Sequence, residues 1–425
     1  MIETIFALSS GAPPAAIGVI RISGPRAGDA LIALCGKLPA PRRAALRRLR
    51  GSGGELLDEA LVLWLPGPHT ETGEDTVELQ CHGGRAIIAA VEAALAPLPG
   101  FRPARPGEFT RRAFANGRID LAEAEGLADL LEAETELQRL SAQALAGGAL
   151  SRQVGAWREQ LLGLSAAVEA VLDFADEDDV AALPADFMAR VGGLHDALSE
   201  ALNRPRAEML REGFRVVIAG PPNAGKSTLF NCLVESEAAI ATPIAGTTRD
   251  VLTRPVAIAG VPFLFADTAG LHDGVDDVVE AIGIERALEA LDRADLVLWL
   301  GPEGEGPAGA WEIEAQADRP DHPAKRAPRH RLSAVSGAGV DSLRADLVTA
   351  ARHALPRPGD LALNERQHNL LAEARTALAE AAEQDNPLLL AEALRMARQA
   401  FDSLLGKTAT EDMLDTLFGR FCIGK

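Results

Sequence analysis

The feature that most constrains the fold is a glycine-rich segment at residues 220–227, Gly-Pro-Pro-Asn-Ala-Gly-Lys-Ser. It fits the Gly-x-x-x-x-Gly-Lys-Ser/Thr phosphate loop and directly follows the apolar run of residues 214–219. A buried strand that leads through a tight turn into a helix points consecutive backbone N–H groups, and the positive end of the helix dipole, at one concavity. The sequence therefore favours an α/β phosphate-binding loop over a glycine-rich surface turn.

Two residues of this loop have specific expected roles. Lys226 is expected to reach the β- and γ-phosphates of a nucleotide, and the Ser227 hydroxyl to ligate the Mg²⁺ ion that bridges them. The loop and the start of the following helix predict these nucleotide contacts: Asn223, Ala224, Gly225, Lys226, Ser227 and Thr228.

A second motif, Asp-Thr-Ala-Gly, follows the strand-like run of residues 261–266. Its carboxylate is expected at the end of a strand beside the phosphate loop, where it can hold Mg²⁺ through water, and its glycine N–H can sense the γ-phosphate. This spacing indicates a GTPase. The predicted contacts are Asp267, Thr268, Ala269 and Gly270.

A third motif, Gly-Thr-Thr-Arg-Asp at residues 246–250, lies between the other two. Alone, such a string is more often a turn that caps a helix. In this order and spacing we expect a switch segment, in which the Thr248 hydroxyl completes the Mg²⁺ shell.

The residue that follows the second motif is Leu271, where many small GTPases orient the attacking water with glutamine. A leucine side chain neither donates nor accepts a hydrogen bond, so another polar group must position the water. The chain also offers no obvious arginine finger in cis, although Arg249 lies in the switch segment. A monovalent cation near the phosphates could supply equivalent positive charge.

The sequence evidence for guanine recognition is weaker, because no Asn-Lys-x-Asp string occurs. After the strand-like run of residues 294–300, the nearest remnant is Ala-Gln-Ala-Asp at residues 315–318. Asp318 is therefore either the acceptor that reads the guanine edge or an ordinary loop acid. Ser333 and Ala334 are expected to form the last loop over the base.

Length and composition limit the remaining possibilities. A chain of 425 residues, 47% of them hydrophobic, is expected to form about three domains with buried cores. No run of eighteen apolar residues occurs and the N-terminus lacks a basic signal-peptide head, which predicts a cytoplasmic protein with no membrane partner. The wide spacing of the cysteines argues against zinc and disulfides and predicts reduced thiols; they are Cys35, Cys81, Cys232 and Cys422.

The net charge is −19, from 42 basic and 61 acidic residues, which argues against broad non-specific adhesion to nucleic acid. Any RNA contact must then be local or shared. One basic cluster is conspicuous, and it fits the solvated face of an exposed helix better than an RNA patch. Its members are Arg42, Arg43, Arg47, Arg48 and Arg50.

The residue composition and the hydrophobic periodicity change three times along the chain. Residues 1–117 mix short β-rich runs with Pro/Gly turns and predict an α+β domain. Residues 118–212 and 355–425 have helical periodicity and predict the two parts of a helical domain. The P-loop GTPase domain, residues 213–354, is expected to be inserted between these parts, since an inserted domain needs only that its termini lie close together.

Further segments carry a resemblance to a known family over nearly the full length. They read Gly-Val-Ile-Arg-Ile-Ser-Gly at 18–24, Thr-Gly-Glu-Asp at 72–75, Val-Glu-Leu-Gln-Cys-His-Gly-Gly at 77–84, Arg-Pro-Gly-Glu-Phe-Thr-Arg-Arg-Ala-Phe at 105–114, Asp-Leu-Ala-Glu-Ala-Glu at 120–125 and Phe-Cys-Ile-Gly-Lys at 421–425. Together with the GTPase motifs, in this order, they resemble the tRNA-modification GTPase family MnmE, also called TrmE.

For the N-terminal domain, the resemblance implies a homodimer that binds 5,10-methylene-tetrahydrofolate or a related reduced folate. A carboxylate can bond a pterin edge, and cations can pair with the glutamate tail of the folate. The alternatives are surface salt bridges for the two arginines and a solvated C-terminus for the lysine. The implied folate contacts are Arg21, Glu78, Arg118 and Lys425.

For the G domain, the resemblance implies a K⁺ ion that does the work of an arginine finger when two G domains meet. Its implied ligands are Asn223, Thr242, Ile244 and Thr247. Glu280 matches the acid that orients the attacking water. The implied GTP contacts therefore also include Thr242, Pro243, Ile244, Ala245, Gly246 and Thr247.

The family acts with an FAD-containing partner, MnmG, in a heterotetramer that installs an aminomethyl or carboxymethylaminomethyl group at C5 of the wobble uridine of tRNA. Cys422 resembles a cysteine suggested to take part in that step, although a lone thiol near a C-terminus is usually inert. Two other interpretations remain open. One is a ribosome-assembly GTPase, and the other is a folate-binding scaffold with a weak G domain.

Overall fold

The computed structural model describes residues 3–173, 182–235, 252–267, 289–320, 322, 324–357 and 361–424. Contacts divide the chain into two compact units. The first contains Met1–Ala128 and Phe401–Lys425, and the second contains Asp129–Ala400. Within the described ranges, every helix is too short or too polar to cross a membrane.

The first unit contains a six-stranded sheet in the order β3-β4-β5-β2-β1-β6. Its pairs are antiparallel except for the parallel pair β1 and β6. The strands are β1 (Thr4–Leu8), β2 (Ile17–Ser23), β3 (Ala45–Arg50), β4 (Leu56–Leu65), β5 (Thr76–His82) and β6 (Phe101–Pro103). The helices of this region are α1 (Ala27–Cys35), α2 (Arg85–Leu95) and α3 (Glu108–Ala115).

Residues alternate between the two faces of this sheet, as the pleat of a strand requires. In β5, Val77, Leu79 and Cys81 are buried and belong to one core with residues of α1 and α2. Glu78 lies between them in sequence and therefore points to the opposite face, where its register partner on β2 is Arg21. The sequence pattern thus places these two charged side chains together on the face away from α1 and α2.

The C-terminal residues of the chain belong to the same unit. Helix α13 (Glu411–Phe418) and the tail that follows share an apolar cluster with the start of α4 (Leu121–Glu132). Phe418 and Phe421 are buried in that cluster together with Leu121. The end of the chain is therefore fixed within the N-terminal unit by apolar packing.

The second unit contains a set of helices with the predicted periodicity. In α6, Leu150, Val154, Trp157 and Leu161 are buried at intervals of three and four residues. Capping boxes start α5 at Thr135 and α11 at Asn364. The helices are α5 (Glu136–Ala146), α6 (Ala149–Asp173), α7 (Phe187–Leu202), α8 (Ala207–Glu212), α11 (Glu365–Ala382) and α12 (Pro387–Leu404), of which α12 belongs to this unit only as far as Ala400.

The same unit contains a second six-stranded sheet in the order β12-β11-β10-β7-β9-β8, parallel except for the pair β8 and β9. The strands are β7 (Phe214–Ala219), β8 (Leu252–Ile258), β9 (Val261–Asp267), β10 (Leu296–Trp299), β11 (Trp311–Glu314) and β12 (His330–Arg331). Helices α9 (Lys226–Glu235) and α10 (Val340–Ala354) pack on it. The strand order reverses at β7, which is where open α/β sheets bind ligands at the carboxyl ends of their strands.

The structure corrects two local expectations. The strand expected over residues 294–300 is shorter, Leu296–Trp299. The basic cluster is not a helix, because Ala45–Arg50 forms the edge strand β3. Prolines at positions 39 and 41 and glycines at 51, 53 and 54 flank this segment. As a strand, the segment gains a ladder of hydrogen bonds to β4 and buries Leu49 in the core that includes α1 and α2.

Candidate functional site

The phosphate loop lies between β7 and α9, as predicted. Its backbone turns through left-handed conformations at Asn223 (φ 64°) and Gly225 (φ 91°), and glycine adopts the latter without strain. Lys226 is the first residue of α9 and is 4% exposed. Its Nζ donates to the carbonyl oxygens of Gly220 at 2.8 Å and Pro221 at 2.9 Å. The ammonium group is therefore held at the phosphate loop, where it is expected to contact the phosphates of a nucleotide.

The carboxylate of the second motif lies beside this lysine. Asp267 ends β9, which pairs in parallel with β7, and it is 2% exposed. Burial lowers the pKa of Lys226, and the negative charge of Asp267 opposes that shift. Ser227 is exposed on the first turn of α9. A hydroxyl and a carboxylate are oxygen donors of the kind that Mg²⁺ prefers, so these residues fit the ion.

Several predicted site residues lie outside the described ranges. They are Thr242, Pro243, Ile244, Ala245, Gly246, Thr247, Thr248, Thr268, Ala269, Gly270, Glu280 and Lys425. Their roles remain predictions.

We call residues 315–318 and 333–334, which are expected to recognise the guanine base, the base side of the nucleotide site. The base side contacts the phosphate loop through Gln316. Its Nε2 donates to the Asn223 carbonyl oxygen at 3.0 Å, and a Cβ atom added at Gly225 would lie 3.2 Å from the same Nε2. Gln316 also forms an isolated antiparallel bridge with Ser333. The remnant at 315–318 and the loop at 333–334 are thus brought to one corner of the nucleotide site. Sequence reasoning missed this contact, which only the position of the glutamine in the string could have signalled.

Asp318 is exposed, but its carboxylate is held in place. A hydrogen bond from the side chain of Ser333 is the main cause that lowers the pKa of Asp318, followed by a bond from its own backbone N–H. Ser333 is 1% exposed, and Ala334 follows it. An ionised and oriented acceptor that faces solvent matches the chemistry needed to bond a guanine edge.

In the N-terminal unit, Arg21 lies in a network of charged and aromatic groups. Its Nη2 donates to Glu78 Oε1 at 3.1 Å, and its Nη1 pairs with Glu71. The Arg21 Cζ lies 6.0 Å from the centre of the Phe109 ring. The predicted pair Arg21 and Glu78 is therefore a cross-strand ion pair, extended by residues that the motifs did not single out.

The loop between β4 and β5 brings the third predicted folate residue to this place. Arg118 Nε donates to the Thr70 carbonyl oxygen at 3.1 Å, next to the Glu71 that contacts Arg21. Glu74 in the same loop accepts from Arg112 at 2.9 Å. One loop thus connects Arg118 with the Arg21 ion pair, and sequence reasoning missed its acidic members.

The C-terminal tail lies against β1 in the same unit. A Cβ atom at Gly424 (φ 94°) would lie 2.2 Å from the Leu8 carbonyl oxygen, so the backbones approach as only glycine allows. The Cys422 carbonyl oxygen accepts from the Gly107 N–H at 3.5 Å, and the Cys422 side chain is exposed. Because Ala7 of β1 is the register partner of Arg21, the tail and the ion pair share one region of the sheet.

A strand, a phosphate loop and a helix, with a buried lysine and a carboxylate on the neighbouring parallel strand, define a P-loop nucleotide-binding protein. The model of the MnmE helical domain matches residues 121–422, and the model of the GTP-binding protein TrmE N-terminus matches residues 4–118. The chain therefore belongs to the MnmE family of tRNA modification GTPases.

Full-length relatives support the same family assignment. The tRNA modification GTPase MnmE of Erythrobacter litoralis is 67% identical over 423 residues, and that of Novosphingobium aromaticivorans is 62% identical over 437; each match covers 100% of both chains. The predicted family, the three-part fold class and a GTP hydrolase that acts in tRNA modification are thereby confirmed. A crystal structure of Era with MgGDPNP and 16S ribosomal RNA nucleotides is 24% identical and covers 41% of this chain and 69% of that chain. Its TM-score of 0.26 is too low to carry any conclusion.

Proposed function

We propose that this chain is a K⁺-stimulated GTPase that modifies C5 of the wobble uridine of tRNA together with an FAD-containing MnmG partner. The product is an aminomethyl or carboxymethylaminomethyl group, and a reduced folate such as 5,10-methylene-tetrahydrofolate supplies the carbon. The observation that best supports this proposal is the buried Lys226 beside Asp267 in a chain that also carries the Arg21–Glu78 pair. One polypeptide thus has candidate sites for both a nucleotide and an anionic cofactor.

In the nucleotide site, Lys226 exchanges its loop carbonyls for phosphate oxygens when GTP binds. Ser227 and Thr248 would hold Mg²⁺ directly and Asp267 would hold it through water, and the ion would supply positive charge beside the phosphates. Glu280 orients the attacking water. Asn223, Thr242, Ile244 and Thr247 would hold K⁺, which would supply the positive charge that an arginine finger provides in other GTPases.

In the N-terminal unit, Glu78 accepts hydrogen bonds from the pterin edge while Arg21 orients its carboxylate. Arg118 and Lys425 pair with the carboxylates of the folate tail. Cys422 lies on the tail that packs beside β1 and takes part in the modification step. The assembly is a cytoplasmic homodimer that joins MnmG in a heterotetramer with tRNA as substrate.

Mass spectrometry of tRNA nucleosides from a deletion strain tests the whole proposal. Wild-type protein should restore the modified wobble uridine, whereas Lys226→Ala and Glu78→Gln should not. Arg395→Gln, which removes an exposed ion pair with Glu392 on α12, is the matched control and should restore it fully. Full modification with Lys226→Ala would instead support a folate-binding scaffold whose G domain is dispensable.

Turnover in two salts tests the cation. GTP hydrolysis should be several-fold faster in KCl than in NaCl at equal ionic strength, because Na⁺ is too small to replace K⁺ at the same ligands. Equal rates in both salts would remove K⁺ from the mechanism while leaving the GTPase intact.

A further inference from the structure

A basic strip on the first unit has no role in the sites described so far. We call Arg42, Arg43, Arg48 and Arg50 the arginine strip; Arg48 and Arg50 lie on β3, and Arg42 and Arg43 precede it. Residues 30–54 contain no carboxylate, although acidic residues outnumber basic ones by 61 to 42 in the whole chain. The strip is therefore a local reversal of the charge of the protein.

The strip lies on an exposed edge of the N-terminal sheet. In the described part of the chain β3 pairs with β4 alone, so its other edge has no strand partner. The pairing with β4 shifts register between Leu49 and Arg50, but Arg48 and Arg50 are both exposed on either side of the buried Leu49, which places them on one face about 7 Å apart. The Arg48 side chain is 64% exposed, and Arg42, Arg43 and Arg50 are exposed as well.

Two of these guanidinium groups are oriented by backbone carbonyls. Arg42 Nη2 donates to the carbonyl oxygens of Pro66 at 3.2 Å and His69 at 2.6 Å, and Arg50 Nη1 donates to that of Gly54 at 2.8 Å. A carbonyl fixes the side chain without neutralising it. Arg48 forms an exposed ion pair with its cross-strand partner Glu59, with its Nε 3.6 Å from Glu59 Oε1, and such a solvated pair is weak.

We propose that the arginine strip binds the phosphate backbone of tRNA, an inference that rests on tRNA being the substrate of the proposed function. Oriented guanidinium groups bind phosphate bidentately and lose little side-chain entropy in doing so. Residues 36–54 contain no aromatic side chain on which a base could stack. The contact is therefore to phosphate, and it positions tRNA without reading its sequence.

The alternative to tRNA binding is a structural role, in which the arginines protect the edge of the sheet. Cations on an edge strand prevent it from pairing with another strand. That role requires charge on β3 alone, whereas Arg42 is oriented outside the strand by contacts with the β4–β5 loop. The two roles also predict different effects of neutral substitutions, as follows.

Full-length protein with R43Q, R48Q and R50Q should be titrated with tRNA over a series of KCl concentrations. The control variant carries R139Q, R204Q and R395Q, which remove three exposed arginines that each pair with a glutamate three or four residues earlier in sequence. Both variants lose three charges, so a general charge effect cancels. The strip variant should bind tRNA at least about tenfold more weakly at low salt, and the slope of log K against log salt should fall by about 2 to 3. Affinity for unmodified substrates and for other tRNAs should fall equally.

Unchanged affinity and slope in the strip variant would overturn the inference, as would a wild-type protein that does not bind tRNA. Unchanged tRNA binding with new aggregation would assign the arginines to edge protection instead. Unchanged tRNA binding with weaker MnmG binding would assign them to a protein partner. GTP hydrolysis in KCl, measured on the same samples, should be equal in all three proteins; its absence from the wild type would contradict the proposed function and not the strip.

Discussion

The phosphate side and the base side of the nucleotide site are built in different ways. The phosphate side is one strand, one loop and one helix, and Lys226 is held by carbonyls only five and six residues away in sequence. The base side joins Gln316 and Asp318 to Ser333 across two segments, and it lacks the usual asparagine and lysine. Local geometry fixes the first, whereas tertiary contacts fix the second. We therefore expect substitutions to act nearly all-or-none on the phosphate side and by degrees on the base side.

The largest effect is expected from Lys226→Ala. The variant loses the cation that faces the phosphates, so GTP hydrolysis should fall by at least about 100-fold, the scale on which a single transition-state donor acts. Steady-state hydrolysis and GTP binding should both be measured. Lys226→Arg is the informative partner variant, because it keeps the charge but its planar fork does not fit a loop closed around an ammonium group. Wild-type turnover in either variant would contradict the assigned role.

Asp318→Asn should have the next largest effect and should change selectivity. Its carboxylate would lose two charge-assisted bonds to guanine, which weakens GTP binding by about 10- to 100-fold. Xanthosine triphosphate presents an acceptor where guanine has a donor, so the asparagine amide should bind it better than the aspartate does. Competition binding of the two nucleotides measures this exchange. An unchanged preference for GTP would transfer selectivity to the backbone around Ser333 and Ala334.

The same contrast explains how much could be predicted from the sequence. The loop, β7, α9 and the position of Asp267 follow from contiguous patterns, and all of them occur in the structure. The contact from Gln316 to Asn223 joins residues 93 positions apart, and no periodicity specifies such a contact. The switch residues that the motifs also predict lie outside the described ranges, so they remain predictions.

In the N-terminal unit, too, local elements could be predicted from the sequence whereas contacts between distant segments could not. Short β-rich runs in residues 1–117 were enough to predict strands there, but not that the loop between β4 and β5 would supply Glu71 and Thr70 to Arg21 and Arg118. The arginine strip shows the opposite error. Charge alone suggested a helix face there, whereas residues 45–50 form the edge strand β3 through their pairing with β4.

A smaller effect is expected from Gln316→Ala. It removes one hydrogen bond between the base side and the phosphate loop, worth about 1 kcal/mol, so GTP should bind about fivefold more weakly. Gln316→Lys should restore affinity, because an ammonium group can donate to the same Asn223 carbonyl oxygen. Calorimetry with a non-hydrolysable GTP analogue measures both variants. If the lysine variant were as weak as the alanine variant, the contact would not be what couples the two sides.

The smallest effect concerns pH and the strand that leads into the base loop. His330 of β12 is buried against the Trp311 ring; burial lowers its pKa, and the nearby Asp346 carboxylate only partly opposes that shift. As the pH falls below 6.5, the unfolded chain takes up a proton on this histidine before the folded chain does. The unfolded state then binds more protons, so stability must decrease as the pH falls from 6.5 toward the lower pKa of the folded state. His330→Gln should flatten this decrease, with a change in Tm of no more than a few degrees. His195→Gln, on the surface of α7, is the matched control, and an equal pH slope in both variants and the wild type would show that His330 does not make the base side sensitive to acid.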